Sequence, residues 1–189
     1  MSSSLGDYTE DFREIITLGD AFDLLIEDNK DILEEIQKEI GFTYGRLENL
    51  FHSDMGVFKH GPFFNWNRSK SVLEFLSYQY LIPLIVLDNV EFTLEDYKSA
   101  LKSFFSYFSD LEYDYLDDIM FQISSSLSEE IKTPLKDFVE KELGHSVLDK
   151  EFVQNRELNP IYDTSYMIPY IIHKELFTNE DLSFLKAFD

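Results

Sequence analysis

The sequence contains no cysteine, only seven glycines and five prolines, and few basic residues for its 189 positions. The lack of cysteine excludes disulfides, thiolate zinc sites and cysteine nucleophiles. The scarcity of glycine and proline argues against a turn-rich all-β fold and against a glycine-loop nucleotide site. Lys and Arg number 16 against 37 Asp and Glu, a net charge of −21. This balance argues against direct binding of nucleic acid, which requires a basic surface.

Long hydrophobic runs are also missing. The longest apolar stretch covers residues 75–87 and is 13 residues long, whereas a membrane-spanning helix needs about 20. The first residues carry neither the basic nor the apolar region of a secretory signal. The sequence therefore predicts a cytoplasmic protein without a membrane segment. The stretch at 75–87 is expected to be buried, and Leu84→Asp is expected to prevent folding because it buries an unpaired charge.

Apolar residues, of which 18 are Phe and 11 are Tyr, are too abundant for a disordered chain. Many recur at three- and four-residue steps, the spacing of an amphipathic helix. The sequence predicts an all-α fold, a single-domain irregular bundle of about eight helices, with a disordered N-terminus at 1–9 and a loop at 53–65. The predicted helices cover 12–40, 43–52, 67–87, 93–109, 110–126, 134–144, 165–177 and 182–188. Gly41 is expected to end the first helix, and Thr93 and Asp96 have the spacing of a capping box at the start of the fourth. Tyr78 and Tyr80 should find hydrogen-bond partners or reach the surface.

Acidic residues concentrate in two segments, 7–40 and 88–118, which carry net charges of −9 and −7. The densest part, 109–118, holds five carboxylates within nine residues, interleaved with tyrosines. On one helix, four of its aspartates would share a face at a cost of roughly 0.2–0.5 kcal/mol per like-charged pair. A basic partner would offset that cost, whereas the simpler alternative is a solvated helix face near a helix start. The predicted partner-binding residues are Asp110, Glu112, Tyr113, Asp114, Tyr115, Asp117 and Asp118.

Catalytic and metal-binding patterns are weak. Glu142 and His145 have the spacing of a di-iron carboxylate motif, but no second copy exists. His52, Asp54 and His60 offer ligand types on a loop without a recognised spacing. Phosphate loops, nucleophile elbows and zinc-protease motifs are absent from the sequence. The sequence therefore predicts no catalytic residues, no cofactor, no metal and no enzymatic activity.

In overall character, and in its acidic, tyrosine-containing segment 109–118, the chain resembles bacterial toxin-immunity proteins of the contact-dependent growth-inhibition and polymorphic-toxin type. The resemblance implies an inhibitor that binds a basic protein, such as a toxin nuclease domain, and occludes its active site. We expect the chain to be a monomer or a dimer. The alternatives are a phage-type nucleic-acid mimic and, as a third class, a generic helical adaptor or an enzyme of unrecognised type. If the chain is an inhibitor of a basic protein, acidic residues of the segment 7–40 would raise the rate of association with it: Asp23, Glu27, Asp31, Glu34 and Glu35.

Overall fold

The computed structural model describes residues 15–57, 63–111 and 114–148, with residues 114 and 115 as backbone. Five β-strands form one sheet in these ranges. The strands are β1 (Ile15–Asp20), β2 (Tyr44–Glu48), β3 (Ile82–Leu87), β4 (Met120–Ile123) and β5 (Val147–Leu148).

Helices connect the strands. Four α-helices lie in the described ranges: α1 (Glu27–Ile40), α2 (Asn67–Tyr78), α3 (Leu94–Ser109) and α4 (Glu129–Asp137). A π-helical turn, Phe138–Glu142, extends α4, and short 3₁₀ turns occur at Ala21–Leu25, Ser53–Met55 and Asp114–Asp118.

The sheet is parallel throughout, and its spatial order is β1-β2-β3-β4-β5, the order of the sequence. Each of the first four strands is followed by an α-helix before the next strand begins. This singly wound order is that of a sector of a (β/α) barrel, and it differs from a doubly wound sheet, in which the order reverses. All strands therefore end at one edge, the carboxyl edge, and begin at the opposite one, the amino edge.

The all-α prediction, with its bundle of about eight helices, is wrong. Segment 15–20, expected in the first helix, is β1, and segment 44–48, expected in the second, is β2. The long helix predicted at 67–87 ends at Tyr78, and its apolar second half is β3. Parallel strands are covered on both faces and show continuous apolar runs instead of alternation. Over so few residues such runs also fit helical spacing, which is why the pattern misled.

One face of the sheet packs against the helices. Alternate strand residues, such as Leu47, Ile85 and Phe121, join helix residues in one buried cluster, and the register places these three side by side. The other face, called the inner face here, carries the intervening residues. Among them Leu84 and Val86 are buried outside that cluster. The inner face also carries the polar residues described below.

Several local predictions are confirmed. Thr93 and Asp96 form the expected capping box at the start of α3, with each side chain accepting the other residue's backbone N–H. Gly41 ends α1 in the left-handed conformation. Tyr78 and Tyr80 were expected to find partners or reach the surface, and they are 77% and 89% exposed. None of the helices in the described ranges combines the length and the hydropathy that crossing a membrane requires.

Candidate functional site at the carboxyl edge

Three neighbouring strands each bring a carboxylate to the carboxyl edge. Asp20 is the last residue of β1, Glu48 is the last residue of β2, and Asp88 directly follows β3. The register pairs Asp20 with Glu48, so these two lie side by side. By strand alternation Asp88 shares the inner face with Glu48. The two are close enough for the negative charge of Glu48 to raise the pKa of Asp88. In (β/α) barrels this edge is where active sites are built.

Asn49 connects the two outer carboxylates. Its side-chain Nδ2 donates to Oδ2 of Asp20 over 3.0 Å, and its backbone N–H donates to Oδ2 of Asp88, also over 3.0 Å. The other oxygen of Asp20 accepts the backbone N–H of Phe22 and caps the 3₁₀ turn that follows β1. One residue after β2 therefore ties together the ends of β1 and β3.

Asp88 is partly withdrawn from water. Burial, followed by the nearby charge of Glu48, raises its pKa above the ordinary value, against the opposing effects of the Asn49 hydrogen bond and of His52. Oδ1 of Asp88 lies 3.4 Å from Nε2 of His52. These two atoms are buried, yet they make no hydrogen bond in the described structure. The pair thus holds unused hydrogen-bonding capacity inside the site.

Arg46 organises the inner face beneath the edge. It donates through a terminal nitrogen to Glu48 over 2.6 Å and through Nε to Oε1 of Gln122 over 2.8 Å. Since Gln122 belongs to β4, the guanidinium crosses β3 and links two strands that are not adjacent. A half-buried arginine with two fixed acceptors has little freedom to move, so Glu48 is held in one orientation.

Arg46, Glu48, Asp88 and Gln122 line an open cleft of about 790 Å³. The sheet contributes Arg46, Glu48, Val86, Asp88, Gln122 and Ser124, and α4 contributes Lys132 and Lys136 among others. Carboxylates accept hydrogen bonds, ammonium and guanidinium groups donate them, and serine does both. The cleft thus combines donors and acceptors with the apolar side chains of Val86, Val147 and Leu148, which suits a small polar ligand.

Buried contacts on the helix side brace the turn after β3. The hydroxyl of Tyr97 donates to the carbonyl oxygen of Asn89 over 2.7 Å, and burial raises the pKa of Tyr97, so the hydroxyl keeps its proton. The Asn89 side chain donates to the carbonyl oxygen of Phe51. Phe51 itself packs against Trp66 and Phe104 with ring centroids 5.7 and 6.0 Å apart. The segments that carry Asp88 and His52 are therefore joined through the core.

The predicted partner-binding residues that the structure describes lie at the opposite, amino edge. Asp110 ends α3, and a separate 3₁₀ turn at Asp114–Asp118 leads into β4. The predicted helix over 110–126, with four aspartates on one face, is therefore wrong. Asp117 and Asp118 are exposed, Asp114 and Tyr115 belong to the turn by their backbone, and Glu112 and Tyr113 lie outside the described residues. The structure brings none of the described members of this set to the carboxyl edge.

The histidines considered as metal ligands have other surroundings. His145 stacks on Phe105 with centroids 4.4 Å apart, and its Nδ1 lies 2.8 Å from the carbonyl oxygen of Ile119. His52 faces Asp88, and His60 lies outside the described residues. Across 15–57, 63–111 and 114–148, no group of three or more suitable side chains converges as metal ligands do.

Sequence reasoning missed the carboxyl-edge residues because it assigned their segments to helices. A signal was present: two short runs, 44–47 and 82–87, are each followed by an acid and an asparagine, Glu48-Asn49 and Asp88-Asn89, and a third run, 15–19, is followed by Asp20. In a parallel sheet, residues that follow each strand converge at one edge. Had the runs been recognised as strands, the site would have followed from this repetition.

Comparisons with known proteins support the fold. No protein-family model and no curated protein matches the sequence. Among solved structures, the chain is similar to the GH39 enzyme from Xanthomonas axonopodis pv. citri, with a TM-score of 0.59 and 12% identity. The match covers 78% of this chain but only 38% of that one. The chain therefore has an α/β fold like that of part of an enzyme, and at this identity the likeness concerns the fold alone.

Proposed function

We propose that the carboxyl edge binds a saccharide. The observation that carries the proposal is the set of carboxylates from three adjacent strands, two of them joined through Asn49, beside an open cleft. A sugar hydroxyl both donates and accepts a hydrogen bond, and so matches a lining in which Glu48 and Asp88 accept while Arg46 donates. The similar solved structure is a glycoside hydrolase, as its family designation states, which agrees with a ligand of this class.

Apolar side chains near the same edge favour the proposal. Phe63 is 77% exposed and Val90 63% exposed, and both lie in connections that leave strands at the carboxyl edge. Exposed apolar surface beside converging polar groups is typical of ligand sites. The pyranose ring of a sugar has apolar C–H faces that can pack on such side chains. The edge therefore offers both kinds of contact that a sugar makes.

The experiment is a thermal-shift titration with glucose, xylose, cellobiose and xylobiose. A ligand present at 100 times its Kd stabilises the folded state by about 2.7 kcal/mol. For a chain of this size, that corresponds to a rise in Tm of roughly 5–10 °C. Glu48→Gln should abolish the rise because it breaks the ion pair with Arg46 and removes an acceptor. Asp117→Asn, which makes the same charge change at the amino edge, is the matched control and should keep it.

If none of the four sugars raises Tm, the saccharide proposal fails. It also fails if Glu48→Gln and Asp117→Asn respond equally. The prediction that the chain has no enzymatic activity stays a prediction, and chromatographic analysis of the disaccharides after incubation tests it. If the wild type releases glucose or xylose and Glu48→Gln does not, the proposal of binding alone is replaced by a proposal of hydrolysis at the same edge.

A second candidate, the inhibitor of a basic protein expected from the sequence, is favoured by one observation at the amino edge. Asp117 and Asp118 are exposed there, and Tyr80 stands in the loop that enters the neighbouring strand β3. Exposed tyrosine beside carboxylates is a common composition for a protein-binding surface. Co-purification of a basic protein, lost when Asp114, Asp117 and Asp118 are changed to Asn, would support this candidate.

A further inference from the structure

Asn49 has an unusual backbone conformation. Its φ is +59°, in the left-handed region that residues other than glycine seldom adopt. Asparagine tolerates this conformation better than most residues, but it still costs free energy relative to the extended or helical regions. In the described part of the chain, the other non-glycine residue with positive φ is Tyr80, at +58°, on the amino edge.

The left-handed turn aims both hydrogen-bonding groups of Asn49 at neighbouring strands. The side chain reaches back to Asp20 at the end of β1, while the backbone N–H points to Asp88 after β3. Asp20 is itself fixed through its other oxygen, which caps the 3₁₀ turn. The bond to Asp20 therefore anchors the turn, and the anchored turn holds Asp88, which lines the cleft.

We propose that Asn49 is a positioning residue: by anchoring its left-handed turn on Asp20, it fixes the carboxylate of Asp88 for the ligand in the cleft. The inference rests on the saccharide-binding proposal for the identity of that ligand. A carboxylate set in place before binding loses less entropy on binding, so the gain appears as affinity. This role differs from that of an ordinary turn residue, because it requires the side-chain amide that bonds Asp20. A left-handed turn without that amide would not fix the carboxylate of Asp88.

Three variants separate these roles. Asn49→Gly keeps the backbone N–H and accepts the positive φ without strain, but it lacks the amide that reaches Asp20. Asn49→Asp keeps the size and tolerance of the left-handed region, but places a carboxylate oxygen where Nδ2 donated. Tyr80→Gly relieves the same backbone conformation at the other edge and is the matched control.

The first measurement is the Kd of each variant for the disaccharide that gives the largest thermal shift. Asn49→Gly should weaken binding about tenfold, the scale of one hydrogen bond to a charged group. Asn49→Asp should weaken it at least as much, and Tyr80→Gly should bind like the wild type. Affinity unchanged in Asn49→Gly, or lowered equally in Tyr80→Gly, would overturn the proposal.

The second measurement needs no ligand. The carboxyl ¹³C signal of Asp88 is followed through a pH titration in the wild type and the variants. The hydrogen bond from the Asn49 N–H lowers the pKa of Asp88. In Asn49→Gly the turn loses its anchor on Asp20, which weakens this hydrogen bond, so the titration midpoint of Asp88 should rise. In Tyr80→Gly the midpoint should stay unchanged. If no sugar binds but this midpoint moves, the saccharide proposal fails and the positioning role stands. A midpoint that stays in place overturns the positioning role.

Discussion

A substitution of Leu84 or Ile85 by aspartate tests the strand that replaced the predicted helix. The two residues are adjacent in β3 and are 1% and 0% exposed. In a strand they lie on opposite faces. Ile85 belongs to the cluster packed against the helices, whereas Leu84 lies on the inner face opposite Arg46 in the register. The two aspartates would therefore have different surroundings.

The expected magnitudes differ accordingly. Either change removes a buried aliphatic side chain, which costs about 2–5 kcal/mol. At Ile85 the new carboxylate has no basic partner among the helix-side core residues, and an uncompensated buried charge adds about 3–5 kcal/mol. The sum approaches the whole stability of a typical domain, about 5–15 kcal/mol. At Leu84 the guanidinium of Arg46 is a neighbour, so we expect much of the second cost to be offset.

Urea denaturation followed by circular dichroism measures the difference. Ile85→Asp should show no cooperative transition, whereas Leu84→Asp should show one with a lower midpoint. The earlier expectation that Leu84→Asp prevents folding is revised for this reason. Adding Arg46→Met to Leu84→Asp should abolish the transition. A cooperative Ile85→Asp protein, or equal costs at both positions, would refute the assignment of these residues to opposite faces.

Three further predictions concern the two edges. The pKa of Asp88 is raised in the folded state, so the folded chain still holds a proton that the unfolded chain releases above about pH 3.8. Wild-type stability should therefore fall as the pH rises through the folded-state pKa of Asp88. Asp88→Asn should reduce this fall, measured as Tm between pH 4 and 7. Tyr97→Phe should lower the free energy of unfolding by about 0.5–1.5 kcal/mol in urea, since it removes the hydrogen bond to Asn89. Changing both Asp117 and Asp118 to Asn should leave the Kd for saccharides unchanged by calorimetry, because these residues lie at the amino edge.

Features fixed by neighbouring residues were predictable from the sequence. The capping box at Thr93 and the helix end at Gly41 depend on side chains and backbone within a few positions, and both were found where expected. The burial of segment 82–87 was also expected, since its apolar run has no other stable environment. Local rules therefore located the end of α1, the start of α3 and one buried segment.

The type of element and the site were not predictable in the same way. Segment 15–19 has apolar residues at steps that fit a helix, and its pairing with residues 44–47, some thirty positions away, makes it a strand. The meeting of Asp20, Asn49 and Asp88 depends on that pairing. Charge density directed attention to 109–118 instead, although charge alone indicates solvation as readily as function.

Mapping of saccharide binding by ¹⁵N–¹H NMR tests the central claim most directly. The amide signals of the chain are followed while cellobiose or xylobiose is added. Our account predicts shifts that saturate together at the carboxyl edge: residues 48–52, 88–90 and 122–126. Signals of residues 78–80 and 116–118, at the amino edge, should stay in place. Shifts confined to the amino edge, or none at saturating sugar, would contradict the account.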